Sequence, residues 1–199
     1  MHPEYTNTPQ ELKFHGPYTI CSEEKDVLYD CPYASDEGIY LWVVRMSSGF
    51  FRVSYIGETG TSFYKRTKDH LIQTLGGNYL ICDPEDMVRG RNNVIWKGLW
   101  RKGTRNKLPE FLSNYASLAP KIKKSILIQK LFVSPFKVDR RLRQRIEGAL
   151  AIALRENTEA STFLPEDIRY IRRRENEIPT LVSIFSEQKI EGLPERIYA

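Results

Sequence analysis

The stretch GIYLWVVRMSSGFFRVSYIGETGTSFYKRTKDH, Gly38 to His70, sets the frame for the rest of the chain. Two runs rich in β-branched and aromatic residues, Ile39 to Val44 and Phe50 to Ile56, flank the turn-forming Met46-Ser47-Ser48-Gly49. That pattern predicts a β-hairpin. Ser62 stands where a helix N-cap belongs, and helical spacing continues to about Leu75 before Gly76-Gly77 ends it. Phe63, Thr67, Leu71 and Leu75 give this helix a buried stripe, while Arg66 and His70, four apart on a neighbouring stripe, can point at one spot. Tyr40 opens the first strand and Tyr55 closes the second. In an antiparallel pair the start of one strand lies beside the end of the next, so the two phenols are expected to be neighbours.

Beyond the hairpin and helix, residues from about Asn78 to Pro120 look irregular, with short helical possibilities around Val94 to Arg101 and Glu110 to Leu118. They read as an insertion. Ser125 to Val133, SILIQKLFV, is expected to be a third strand ended by Pro135. Asp139 then caps an amphipathic helix over roughly Arg140 to Glu156, with Leu142, Ile146, Ala149, Leu150, Ala153 and Leu154 on its buried side. Glu147 is the one acid near Arg140, Arg141, Arg143 and Arg145, and it lies between the buried Ile146 and the small Gly148 and Ala149. An acid at the edge of an apolar face is usually paired or ligates a metal.

Composition narrows the partners. Hydrophobic content of 41% and charged content of 28% are ordinary for a globular chain of 199 residues. The net charge is +5, but residues 1–37 carry about −6 and the remainder about +11 by the usual side-chain charges. A basic body suits a polyanion, with nucleic acid the first candidate. Between Val88 and Lys107 stand Arg89, Arg91, Lys97, Arg101, Lys102, Arg105 and Lys107 with no acid among them, and Trp96 and Trp100 interleave with this run. Basic groups neutralise phosphates, and aromatic faces either stack on bases or anchor a segment to the core. Here the tryptophans are expected to be core and the charges to contact DNA. Three cysteines without a CxxC pair, no signal peptide and no membrane-length apolar run point to a cytoplasmic, nucleoid-associated protein.

Gly38-Ile39-Tyr40 and Tyr55-Ile56-Gly57 stand intact, with the Arg66/His70 pair and a later helical glutamate in order. In this the sequence resembles the GIY-YIG nuclease superfamily, over roughly Gly38 to Asn157. The resemblance implies an α/β (α+β) fold with a small central antiparallel three-stranded sheet, hairpin plus third strand, flanked by helices. Residues 1–37 would be an acidic arm, 38–157 the catalytic domain with its insertion at about 77–120, and 158–199 an extension packed on it. It also implies roles: Tyr40 as general base, Tyr55 supporting it, Arg66 on the phosphate, His70 one helical turn on, and Glu147 holding a single divalent ion, Mg²⁺ or Mn²⁺. Gly57 would be the close-approach glycine and Asn157 the nearest candidate for the family's downstream asparagine.

The chemistry of the residues agrees with those roles. A phosphodiesterase needs a positioned water, a proton acceptor, positive charge on the non-bridging oxygens and help for the departing oxygen. A phenol with a pKa of about 10 needs nearby positive charge to act as a base, which Arg66, Lys65 and a metal would supply. The expected activity is divalent-metal-dependent cleavage of double-stranded DNA, of the type II restriction kind because no separate DNA-binding module is visible. One site per chain suggests a homodimer on DNA, with no membrane partner and no small-molecule cofactor. A repair or junction nuclease working with a partner, or a non-catalytic DNA-binding protein retaining the fold, are the alternatives.

Overall fold

The hydrophobic alternation of the opening hairpin places it at the end of a larger sheet. In the computed structural model, which describes residues 9–20, 27–100, 107–157, 160–165 and 170–199, the hairpin consists of β2 (Gly38–Arg45) and β3 (Phe51–Thr59). On its other side β2 pairs antiparallel with β6 (Gln129–Pro135), Tyr40 lying opposite both Gly57 and Val133. The sheet does not stop there. β1 (Gln10–Tyr18) pairs antiparallel with β6 and parallel with β7 (Leu181–Ser186), and β8 (Arg196–Tyr198) closes the far side. The order is β3, β2, β6, β1, β7, β8.

The expected small three-stranded antiparallel sheet is therefore corrected to a six-stranded mixed sheet. Three strands would have left the row of N–H and C=O groups on β6 unpaired. Leu12 and Phe14, two apart and fully buried, let the N-terminal segment fill that edge as an inner strand, and Val182 and Ile184 do the same for the segment from the other end of the chain.

The insertion is also more regular than its glycines and prolines suggest. It holds a two-stranded ribbon, β4 (Ile81–Cys82) with β5 (Val94–Trp96), a short helix α2 (Pro84–Val88), and the 20-residue helix α3 (Leu108–Leu127). The apolar Ser125 to Leu127, expected to open the third strand, is instead the last turn of α3, and the strand begins at Gln129.

α1 (Phe63–Leu75) and α4 (Arg140–Glu156) fall where the sequence places them. α1 starts at Ser62, whose hydroxyl accepts from Lys65 N–H, and α4 starts at Asp139, whose carboxylate accepts from Leu142 N–H. They serve opposite faces of the sheet. Ile39, Leu41, Val43 and Ile56 meet Ile146, Leu150, Ala151 and Leu154 of α4, whereas Tyr40, Trp42, Leu131 and Val133 face Phe63 and Leu71 of α1. On α1 the buried side is Phe63, Thr67 and His70, and Leu75 turns to solvent. Among the described residues no helix is long and apolar enough to cross a membrane.

Candidate active site at the sheet edge

Period-2 alternation sends Tyr40 to the α1 face, where its register partner across the hairpin is Gly57. A Cβ on Gly57 would collide with the Tyr40 phenol oxygen and ring, so the missing side chain is the space the phenol occupies. Gly57 thus acts on Tyr40, making a floor for its ring. Tyr55, two residues earlier on the same face, stacks beside Tyr40 at 6.2 Å between centroids.

α1 completes this half. Arg66 Nε lies 3.0 Å from the Tyr40 oxygen and His70 Nε2 lies 2.9 Å from it. An arginine N–H can only donate, so the Tyr40 oxygen accepts from Arg66. Toward His70 the phenol donates when the neutral ring carries its hydrogen on Nδ1 and accepts when the ring carries it on Nε2. Burial first, then the Arg66 charge, lowers the His70 pKa to about 3. Burial also raises the Tyr40 pKa well above the ordinary phenol value, Tyr55 adding to the rise and Arg66 only partly offsetting it. Of the positive charges expected to make Tyr40 acidic, Arg66 is in place, but desolvation outweighs it. Tyr55 is raised by burial too, against Arg66. For Arg66, burial works against the charge, but the Tyr40 contact outweighs it and the guanidinium stays firmly protonated.

The other half comes from α4, around the edge of the sheet. β3 is the last strand of the sheet, bridged on its outer side only at Phe51 to Ile190, and near its other end Glu147 of α4 comes close to Glu58. Burial, followed by the like charge of Glu58, pushes the Glu147 pKa up to about 7 despite Arg66. The Glu58 side chain is held by Arg143, Nε to Oε2 2.6 Å, and Arg143 also meets Glu37 at 3.2 Å and the Val138 carbonyl at 3.2 Å. Glu147 has no such ion pair among the described residues.

This donor chemistry fits a hard divalent cation. A carboxylate destabilised by burial and a like charge gains by taking one, and Mg²⁺ commonly uses one or two protein carboxylates with water and substrate phosphate completing the shell. Among the described residues no three His, Cys, Asp or Glu side chains gather into a cage. Glu147 is the residue that would hold the ion, the Glu58 carboxylate beside it being taken up by Arg143.

Two contributors escaped sequence reasoning. Glu58 had a signal, since it follows the Tyr-Ile-Gly tripeptide directly and alternates to the α4 face. Tyr170 had none. Its segment packs where a Cβ on Gly148 would strike the Ile171 carbonyl, and Arg155 lies 5.1 Å over its ring. The space left by Gly148, expected beside the carboxylate, is filled by this segment. The Tyr170 hydroxyl is buried without a hydrogen-bond partner, and burial, then Tyr55 and Glu147, raise its pKa.

The remaining expected contacts divide. Lys65 is exposed on the first turn of α1, and Lys97 is exposed just after Trp96. Arg89 and Arg91 lie at the hairpin turn, where Ser47 N–H donates to the Val88 carbonyl at 3.1 Å. That is about 20 Å along β2 from Tyr40 at 3.3 Å per residue. Arg91 is paired with Asp86, Nε to Oδ1 2.9 Å. Asn157 is the C-cap of α4, its Oδ1 accepting from Ala160 N–H at 3.0 Å. At 1.5 Å per residue it stands about 15 Å from Glu147, so the structure does not bring it to the site. Arg101 lies outside the described residues. Trp96 is core, as expected, its Nε1 donating to the Gly77 carbonyl at 2.7 Å, but Trp100 is 63% exposed.

No protein-family model matches the chain, and neither a curated protein nor a solved structure matches it.

Proposed function

We propose that the protein is a Mg²⁺- or Mn²⁺-dependent DNA endonuclease of the GIY-YIG kind, cutting double-stranded DNA as a type II restriction enzyme and dimerising on its substrate. The observation that carries this is the hydrogen-bonded chain from Arg66 through Tyr40 to His70, standing at the same sheet edge as the pKa-raised Glu147.

Each residue has a task set by its contacts. Arg66 keeps its terminal N–H groups for a phosphate oxygen while its Nε orients Tyr40. A water donating to the Tyr40 oxygen attacks phosphorus, the bond to the 3′ oxygen breaks, and the water's proton passes to the phenol. Tyr40 passes its own proton to His70 Nε2 in the same step, so no free tyrosinate accumulates despite its raised pKa. A phosphate bound at Arg66 offsets the smaller of the two causes that depress His70, the Arg66 charge, and so raises its basicity in part. Tyr55 confines the water from the second strand. Glu147 would hold a divalent ion, which when bound would supply positive charge to offset the charge developing on the phosphate.

The test is incubation of supercoiled plasmid and genomic DNA with Mg²⁺. Wild type should produce discrete fragments, Tyr40→Phe should lose at least about a hundredfold in rate, the lower range for a removed proton-transfer group, and Glu147→Gln should lose metal-dependent cleavage through loss of the carboxylate that would hold the ion. Cleavage by Glu147→Gln at the wild-type rate, or intact DNA with wild type on diverse substrates, would sink the proposal.

A further inference from the structure

The two tryptophans of the basic insertion have opposite fates, and the difference is built by the backbone. Gly98, at φ +84°, turns the chain so that a Cβ there would meet the Asn78 carbonyl at 2.7 Å. Gly98–Trp100 is thereby laid along the end of α1: Leu99 N–H donates to the Gly77 carbonyl at 3.0 Å and Trp100 N–H to the Asn78 carbonyl at 3.3 Å. Trp96 drops into the core beneath, while Trp100 stays on the surface with 63% of its area in water.

Trp100 is not isolated there. Its ring meets Tyr79 edge to face at 5.6 Å, Tyr79 tilts against His70 at 5.5 Å, and His70 meets Tyr55 at 4.9 Å. Three ring-to-ring steps thus lead from the catalytic phenols to an exposed indole. Along this path lie Arg66, whose charge acts on Tyr79 as well as on Tyr40, and the exposed Lys97 three residues before Trp100. A large aromatic held on the surface by backbone hydrogen bonds, supported from below and continuous with a phosphate-binding arginine, matches an unstacked nucleobase.

We propose that Trp100, backed by Tyr79, forms a stacking subsite for a base swung out of the duplex at a nucleotide flanking the scissile phosphate. This rests on the nuclease assignment above, because it takes the strand's phosphate to sit at Arg66. A base on the indole face fixes the position of the strand relative to Arg66 and Tyr40, and it reads ring area more than hydrogen-bond pattern, so it contributes affinity with little sequence choice.

The chain has three tryptophans, and Trp42 and Trp96 are each only 5% exposed, so red-edge tryptophan emission reports Trp100. A fluorescein-labelled oligonucleotide is titrated in EDTA, following its anisotropy for binding and tryptophan emission for contact. Wild type should show both a rise in anisotropy and quenching of the red-edge emission. Trp100→Phe should bind with the quench gone, and Trp100→Ala should bind about tenfold more weakly, the lower part of the range for one base on an aromatic ring. Full anisotropy change with unaltered Trp100 emission, or wild-type affinity for Trp100→Ala, overturns the subsite and leaves the nuclease assignment standing. No anisotropy change with any oligonucleotide overturns both.

Discussion

Replacing Glu147 with glutamine should stabilise the protein while removing its activity. The Glu147 pKa is raised from 4.5 to about 7, chiefly by burial and then by Glu58. The folded state therefore holds this proton more tightly than the unfolded chain. Between pH 4.5 and 7 it carries more protons than the unfolded chain, so stability falls as pH rises through this window and the penalty is constant above it. At about 1.4 kcal/mol per pKa unit, the penalty approaches at most about 3 kcal/mol at pH 8 and is under about 1 kcal/mol at pH 5. Glutamine keeps the shape of the side chain and has no charge to desolvate. Glu147→Gln should gain up to about 3 kcal/mol over wild type at pH 8 in EDTA, a rise of roughly 6 to 12 °C in midpoint for a chain of this size. His70, whose low pKa also shapes the acid limb, is common to both proteins and cancels from the difference. Urea unfolding at pH 8 and pH 5 measures it, and Mg²⁺ should raise wild type alone. A variant no more stable than wild type at pH 8, or a gain equal at both pH values, refutes a buried, charge-strained Glu147.

Gly57→Ala should destabilise by about 1–3 kcal/mol, the usual cost of overpacking, because its Cβ enters the volume of the Tyr40 phenol; melting and plasmid cleavage should fall together. Arg143→Ala removes a guanidinium only 4% exposed and leaves Glu37 and Glu58 without their cation, so urea unfolding should show a loss of about 3–5 kcal/mol. Tyr170→Phe removes a buried hydroxyl with no partner, so stability should stay level or rise by up to about 1 kcal/mol. A loss larger than that in chemical denaturation would reveal a bond to the hydroxyl.

Local patterns made the hairpin, α1 and α4 legible, because their periodicity and caps lie within a few residues of one another. The pairing of β1 was not local: its partners β6 and β7 come more than a hundred residues later, and only Leu12 and Phe14 mark its inward face. Pro109 and Pro120 concealed α3, yet Pro109 lies in the first turn, where its missing N–H is needed by no carbonyl. The run Ser125 to Leu127 shows why a short apolar stretch cannot by itself separate a strand from a buried helix end. At the site, Tyr40, Tyr55, Arg66 and His70 were all readable from the hairpin and the first helix, and the structure brings their side chains together. Tyr170 was not, since the path of its segment is decided by contact with Gly148.

The position at the sheet edge explains why phenols and carboxylates from opposite faces can share one centre. An inner strand would separate α1 from α4 by its own backbone, but past the Glu58 end of β3 there is none, and Glu147 comes close enough to Glu58 and Arg66 to feel both charges. That arrangement places two carboxylates side by side, which is costly unless one is neutralised. Arg143, one helical turn before Glu147, neutralises Glu58 and ties it to Glu37 just ahead of β2. Glu58 is thereby committed to the fold, and Glu147 is left as the carboxylate with charge to spare for an external cation. Within one turn of α4, Arg143 therefore completes the interior, and its pairing with Glu58 leaves Glu147 as the site's carboxylate without an ion pair among the described residues.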